Sequence, residues 1–324
     1  TDAGDVVIEL AGGGNDTVWT SLASYSLGTN VENLFFGGSG NFAGTGNVLN
    51  NEIAGGTGND VLIGAAGADT MAGGAGNDIY EVTDSGDQVI ELAGAGIDDV
   101  WTSLANYALG ANVDNLFFGG SGNFAGTGNE LANTLMGGAG NDLLIGNGGA
   151  DTMTGGGGND IYEVTDLGDV VGENLGDGND TVWTSLASYT LGANVENLFF
   201  GGSGNFVGTG NGLANTIVGG AGNDFIVGAG GNDVMSGGVA GNDTFVFGAA
   251  GFGNDTILNF GANAAAGQDL LDLTPMGITS ATFAANVTIT ANGADTVVGI
   301  GADTIHLVGV NSAAVDQTDF ILAT

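Results

Sequence analysis

From residue 46 to residue 101 one apolar position returns at almost constant spacing: Ile53, Leu62, Met71, Tyr80, Val89 and, after a two-residue slip, Val100. Each sits in a short run that favours extended backbone, such as Val61-Leu62-Ile63, Thr70-Met71-Ala72 or Ile79-Tyr80-Glu81. Between these runs lie stretches of six residues dominated by glycine, as in Gly55-Gly56-Thr57-Gly58-Asn59-Asp60. Glycine at positions one, two and four of this nine-residue unit permits positive φ and close backbone approach. The pattern therefore predicts six residues of turn and three of strand. Two such units make one winding of a parallel coil, with position eight as its apolar interior. Glycine and β-branched residues at this density oppose a helix.

A longer period encloses the short one. Trp19, Trp101 and Trp183 recur at equal intervals. The block Asn30–Asn47 returns at Asn112 and Asn194 with two of its eighteen positions varied. We read three copies, 1–82, 83–164 and 165–247, the last with one extra residue near Val239. Residues 248–324 form a differently patterned C-terminal region that caps the last apolar rung, as a repeat array requires. Because Thr1 aligns with Thr83 and Thr165, further copies are expected upstream.

Position six changes the picture, because it is acidic. Asp60, Asp69 and Asp78, Asp142, Asp151 and Asp160, and Asp224, Asp233 and Asp243 hold it in nonapeptides. Asp16, Asp87, Asp98, Asp169 and Asp180 hold it in less complete glycine contexts, where a merely solvated acid is the alternative reading. In a coil with two units per winding, Asp60, Asp78 and Asp98 line one edge and Asn51, Asp69 and Asp87 the other. Neighbours on an edge are then about one strand spacing apart, roughly 4.8 Å. The chain has 37 acidic residues and no lysine or arginine, a formal charge of −37. Self-repulsion on that scale disfavours a compact state, yet 43% of the residues are apolar. A cation between successive carboxylates resolves the conflict. Backbone oxygens are on offer in the same turns: Gly55, Thr57 and Asn59; Gly73, Ala75 and Asn77; Gly137, Ala139 and Asn141; Gly155, Gly157 and Asn159; Gly219, Ala221 and Asn223. An all-oxygen site of flexible geometry suits Ca2+; without thiolates, and with one histidine, zinc has no ligand set. Asn51, Asn133 and Asn215 replace the aspartate, so sites that would use them are expected to be weak or empty.

Composition closes other routes. Phosphate backbones need cationic partners, so nucleic-acid binding is excluded. No apolar run reaches the length of a membrane span, and no membrane insertion is expected. No nucleophile elbow is present, His306 is the one histidine, and no catalytic constellation stands out. The chain is not expected to be an enzyme.

The repeated G-G-x-G-x-D-x-U-x resembles the nonapeptide of the repeats-in-toxin (RTX) calcium-binding β-roll proteins. The resemblance implies an all-β, right-handed parallel β-roll or β-helix solenoid with calcium in its glycine-rich turns. It also implies export through type I secretion machinery and folding outside the bacterial cell. Gly251–Phe260, Gln268–Leu273, Ala302–Leu307 and Asp319–Leu322 are similar to the C-terminal cap and secretion signal of such proteins. The absence of a basic, apolar leader at Thr1 fits that expectation.

The function expected is a secreted calcium-binding structural protein of a cell surface, biofilm matrix or fibre, self-associating head-to-tail or laterally. The alternative is a folding and secretion module of a larger secreted enzyme (protease, lipase or epimerase) or of an adhesin. Phe35–Phe36, Phe117–Phe118 and Phe199–Phe200 are adjacent aromatic pairs, and neighbours in a strand point to opposite faces. One ring of each pair is expected outside, on the same face once per copy.

Overall fold

A computed structural model of the chain describes residues 7–238, 240–248, 251–262 and 267–324. The extra residue expected near Val239 falls outside them. Contacts divide the chain into two units, Thr1–Gly158 with Asp166–Val171 and Asn159–Thr165 with Gly172–Thr324.

The first unit is a parallel coil. On one side, strands Thr17–Thr20, Asn33–Phe36, Glu52–Thr57, Thr70–Ala75 and Gln88–Val89 pair in that order. On the other, pairing runs from Ser24–Ser26 through Ala43–Thr45, Val61–Ile63 and Ile79–Val82 to Asp99–Thr102, and on to Val170–Val171. In the nonapeptide region Glu52 pairs with Thr70 and Val61 with Ile79, so that one winding is two nine-residue units. Where the nonapeptide is interrupted the winding shortens by two positions (Thr17 with Asn33) or lengthens by two (Ile79 with Asp99).

The short strands are held by what they bury. Ile53, Leu62, Met71, Tyr80 and Val100 are fully enclosed, Ile53 beside Met71 in one sheet and Leu62, Tyr80 and Val100 in succession in the other. Each such side chain contributes roughly 1.5–3 kcal/mol by leaving water. Val89 departs from this line and is half-buried, because its two-residue strand is the last of its sheet.

One expectation fails for a countable reason. From Thr17 to the residue before Asp99 the chain makes nine strands, an odd number, so the next copy begins half a winding out of phase. Trp19 and Phe35–Phe36 therefore lie in one sheet of this unit, and Trp101 and Phe117–Phe118 in the opposite sheet. The aromatics alternate faces instead of repeating on one. Within each pair the inner ring packs inside, as Phe36 stacks on Phe42 at 4.7 Å. The outer ring leans on an exposed tryptophan, as Phe35 does on Trp19 at 5.1 Å.

The second unit is built the same way. Ile161–Val164, Thr181–Thr184, Asn197–Phe200, Thr216–Val218, Val234–Ser236 and Asn254–Leu258 pair in parallel. Opposite them run Ser188–Thr190, Val207–Thr209, Phe225–Val227, Thr244–Val246, Leu270–Asp272 and Phe320–Ile321. Parallel winding thus continues into the region expected to differ. It closes with Asp303–Leu307, on which Asp295–Ile300 and Val287–Asn292 turn back antiparallel. His306 lies in that strand, 2.9 Å from Asp295. The α-helical content of the described residues is the four-residue segment Phe283–Asn286.

Candidate metal centre

Position six ends each turn, and its side chain folds back into the coil instead of out to water. Asp60, Asp69 and Asp78 are fully enclosed, as is Asp98 at 1% exposure. Burial is tolerated because one oxygen of each accepts an N–H from the preceding rung. Asp60 Oδ1 accepts from Phe42 N at 2.8 Å, Asp78 Oδ1 from Asp60 N at 2.7 Å, and Asp98 Oδ1 from Asp78 N at 2.9 Å. On the other edge Asp69 accepts from Asn51 N and Asp87 from Asp69 N, at 2.7 and 3.1 Å. Asp142 accepts from Phe124 N and Asp151 from Asn133 N. In the second unit Asp180 accepts from Asp160 N, Asp224 from Phe206 N, Asp233 from Asn215 N and Asp243 from Asp224 N. The two edges read from the sequence are thus two carboxylate ladders.

The second oxygen is the chemically informative one. Oδ2 of Asp60, Asp69, Asp78, Asp98, Asp151, Asp224 and Asp233 is enclosed without a hydrogen-bond donor. The sequence has no lysine or arginine, and its one histidine, His306, pairs with Asp295. Desolvation lifts Asp69, Asp98, Asp233 and Asp243 to about 6, and Asp255 to about 7. Glycine at position one makes the room. A Cβ on Gly55, Gly73, Gly137 or Gly219 would stand 2.1, 2.0, 2.2 or 2.4 Å from Oδ2 of its own unit's aspartate. Enclosed, donorless carboxylate oxygens over a glycine cradle, among hard oxygen donors only, fit a divalent cation of the calcium type.

The other sequence-selected residues divide. Asp98 and Asp180 are buried at 1%, not solvated, and belong to the ladders. Asp16 is half-buried, and its N–H donates to Glu32. Asp87 and Asp169 spend both oxygens on backbone donors: Asp87 on Asp69, Thr83 and Asp84, and Asp169 on Asp151 and Asp166. Among the turn residues, the Ala75 and Gly157 carbonyls accept from Gly58 N and Gly140 N, each at 2.7 Å. Thr57 and Ala139 lie in register with Ala75 and Gly157, and Ala221 bridges to Ala240. Asn59, Asn77, Asn159 and Asn223 use Oδ1 to accept an N–H from the next rung, and Asn141 N donates to Asn123 in the same way. These amides form an exposed ladder of their own beside the carboxylates. At position one of its unit, Gly155 takes part in interactions of its own.

Three asparagines at position six act differently. Asn133 Nδ2 donates to the Val113 and Asp114 carbonyls at 3.1 and 3.0 Å. Asn51 and Asn215 do the same to Val31 and Glu32, and to Val195 and Glu196. At these rungs an amide donor meets the carbonyls of the preceding winding, where the aspartate rungs have a second carboxylate oxygen instead. Asn133→Asp should therefore lower stability at limiting calcium by roughly 1–3 kcal/mol, since two buried acceptors lose their donor. Saturating calcium should restore part of the loss, as read by thermal melts at the two calcium levels.

Sequence reasoning missed several participants. Glu91 and Glu173 approach the ladders from outside the nonapeptide frame: Asp78, Glu91 and Asp98 each place an oxygen within 4.8 Å of the others, as do Asp160, Glu173 and Asp180. Asp255 and Asp269 extend the ladders beyond residue 247, accepting from Asp233 N and Asp243 N at 2.9 Å. Gly253-Asn254-Asp255 was a readable signal for the first; Gln268-Asp269 carries little beyond its acid.

A family model described as the RTX calcium-binding nonapeptide repeat (4 copies) matches residues 45–80, 127–162 and 209–245. These segments are RTX repeats. The match falls on the nonapeptide aspartates and their glycine cradles, and it stops short of Glu91, Asp98, Glu173, Asp180, Asp255 and Asp269. Comparison with curated proteins gives no match. Solved structures similar to this chain include a subunit of the mannuronan C5-epimerase from Azotobacter vinelandii, at 22% identity and TM-score 0.19, covering 37% of this chain and 80% of that one. Another is the extracellular lipase LipA from Serratia marcescens, at 17% identity and TM-score 0.25; the match covers 76% of this chain and 45% of the lipase.

Proposed function

We propose that this chain is an extracellular scaffold whose coil is assembled by calcium after export through type I secretion machinery. One observation carries the reading: a ladder of enclosed carboxylates keeps donorless oxygens in a chain without a single lysine or arginine. Asp60, Asp69, Asp78, Asp142, Asp151, Asp160, Asp224, Asp233 and Asp243 would hold the ions, with backbone oxygens of the glycine-rich turns. Bound there, Ca2+ supplies the charge neutralisation that lets successive windings close. The chain's own residues do the rest. The aspartates join rung to rung through their other oxygen, the glycines leave room, and the apolar line excludes water.

Millimolar calcium outside the cell and its scarcity inside would make folding wait for export. The role is structural, in a surface layer, matrix or fibre, with copies associating end to end or side by side. Exposed tryptophans support association: Trp19 is 64%, Trp101 45% and Trp183 47% accessible. Electron microscopy at high protein concentration should show filaments or sheets with calcium and none with chelator. Isolated particles under both conditions would refute the structural role and leave the folding module of a larger secreted protein as the reading.

A further inference from the structure

The acids at the end of each nonapeptide run are arranged unlike those within it. The winding from Asp78 to Asp98 is two residues longer than the regular one, and its turn reads Glu91-Leu92-Ala93-Gly94-Ala95-Gly96-Ile97. The two extra residues swing Glu91 inward, where it is 6% exposed. Asp78 Oδ1 and Asp98 Oδ1 are already taken by the N–H groups of Asp60 and Asp78, while Oδ2 of both is enclosed with no donor. Asp78 Oδ2 and the Tyr80 hydroxyl lie 2.0 and 2.5 Å from where a Cβ on Gly73 would be, so both face the same small space. Tyr80 accepts from Gly73 N at 2.6 Å and donates to Glu91, which fixes the glutamate from behind.

We propose that Asp78, Glu91 and Asp98 form a three-carboxylate site for a divalent cation, backed by the Tyr80 phenol and set apart from the nonapeptide sites by its glutamate ligand. The inference rests on the calcium reading above but adds a ligand that the nonapeptide does not contain. The arrangement recurs in the second unit. Asp160, Glu173 and Asp180 gather in the same way, Tyr162 donates to Glu173, and Glu173 Oε2 is enclosed without a donor. Recurrence at the same position of the next copy shows that the inward glutamate is encoded by the repeat. Three enclosed carboxylates have no organic cation to meet them, since the chain contains no lysine or arginine. The competing occupant is a proton. Burial above all lifts Glu91 to about 7 and Glu173 to about 8. An ion held there would let the glutamate anchor the lengthened turn where the regular period breaks.

The test is calcium calorimetry on the intact chain and on a Glu91→Gln, Glu173→Gln double variant. Glutamine still accepts from the tyrosine hydroxyl and removes only the charge. The expected result is two fewer ions bound per chain, or two ions weakened at least tenfold, with the remaining sites unmoved. Glu81→Gln with Glu163→Gln, on exposed strand positions, should change nothing. Unchanged stoichiometry and affinity in the Glu91/Glu173 variant would overturn the proposal and assign the site to a proton shared with tyrosine. An intact chain that binds no calcium at all would instead overturn the underlying calcium reading. If the variant does not reach the wild-type circular dichroism spectrum in calcium, a crystal structure of the calcium-loaded wild type decides. Ion density among Asp78, Glu91 and Asp98 supports the site, and its absence there, with ions in the nonapeptide turns, refutes it.

Discussion

Replacing Gly76 with valine is expected to dismantle a rung. Gly76 has φ +131, a conformation closed to valine, and a Cβ there would stand 2.0 Å from the Gly58 carbonyl oxygen and 2.5 Å from its carbon. Those atoms belong to the rung beneath and cannot retreat, because Gly58 N is itself bonded to Ala75 O at 2.7 Å. Backbone strain and overpacking together cost about 4 kcal/mol. In saturating calcium the melting temperature should fall steeply, and the ions coordinated by that turn should be lost. Gly122→Ala provides the contrast. Nothing lies within 4 Å of its Cβ position and its φ is ordinary, so its effect should stay within about 0.5 kcal/mol. Thermal melts of the two variants in calcium separate conformational demand from glycine content as such.

The second large effect is a pH dependence opposite to that of most proteins. In the folded chain without metal, Asp69, Asp98, Asp233 and Asp243 titrate at about 6 and Asp255 at about 7, chiefly because burial penalises the charged form. An unfolded aspartate titrates near 3.9. Below that value both states hold their protons, and these groups carry no penalty. As pH rises towards 7 the unfolded chain has shed protons that the folded chain still holds, so stability falls. The calcium-free coil should therefore be most stable in mild acid and least stable at pH 7.5. Calcium binding should release protons near pH 6, and affinity should climb from pH 5 to pH 7. Calorimetry in two buffers of different ionisation enthalpy measures the release directly.

Much of this was readable from the chain. The spacing of Ile53, Leu62, Met71 and Tyr80 revealed the strand length and the two-unit winding, because a turn that must place carboxylate, glycine and strand in fixed order tolerates little variation. The stacking of Asp60 on Asp78 followed from the same count. Three features escaped for physical reasons. The alternation of Trp19 and Trp101 between sheets depends on whether a copy holds an odd or even number of strands. The regions between nonapeptides, where windings shorten and lengthen, conceal that parity. Glu91 and Glu173 escaped because no local pattern marks an inward glutamate. Only the lengthened turn and the tyrosine behind it bring the side chain into the ladder. Similarly, the division of labour at each aspartate, with one oxygen for the neighbouring rung and one left over, belongs to three-dimensional pairing and not to the order of residues.

The proposal that metal between windings supplies the cohesion that enclosed carboxylates otherwise deny makes folding depend on calcium. Far-ultraviolet circular dichroism of the intact chain at pH 7.5, titrated with calcium from chelator upward, tests this most directly. The expected result is a disordered spectrum in chelator and a cooperative rise to a β spectrum as several ions bind per chain. A full β spectrum in chelator, unaltered by added calcium, would contradict it.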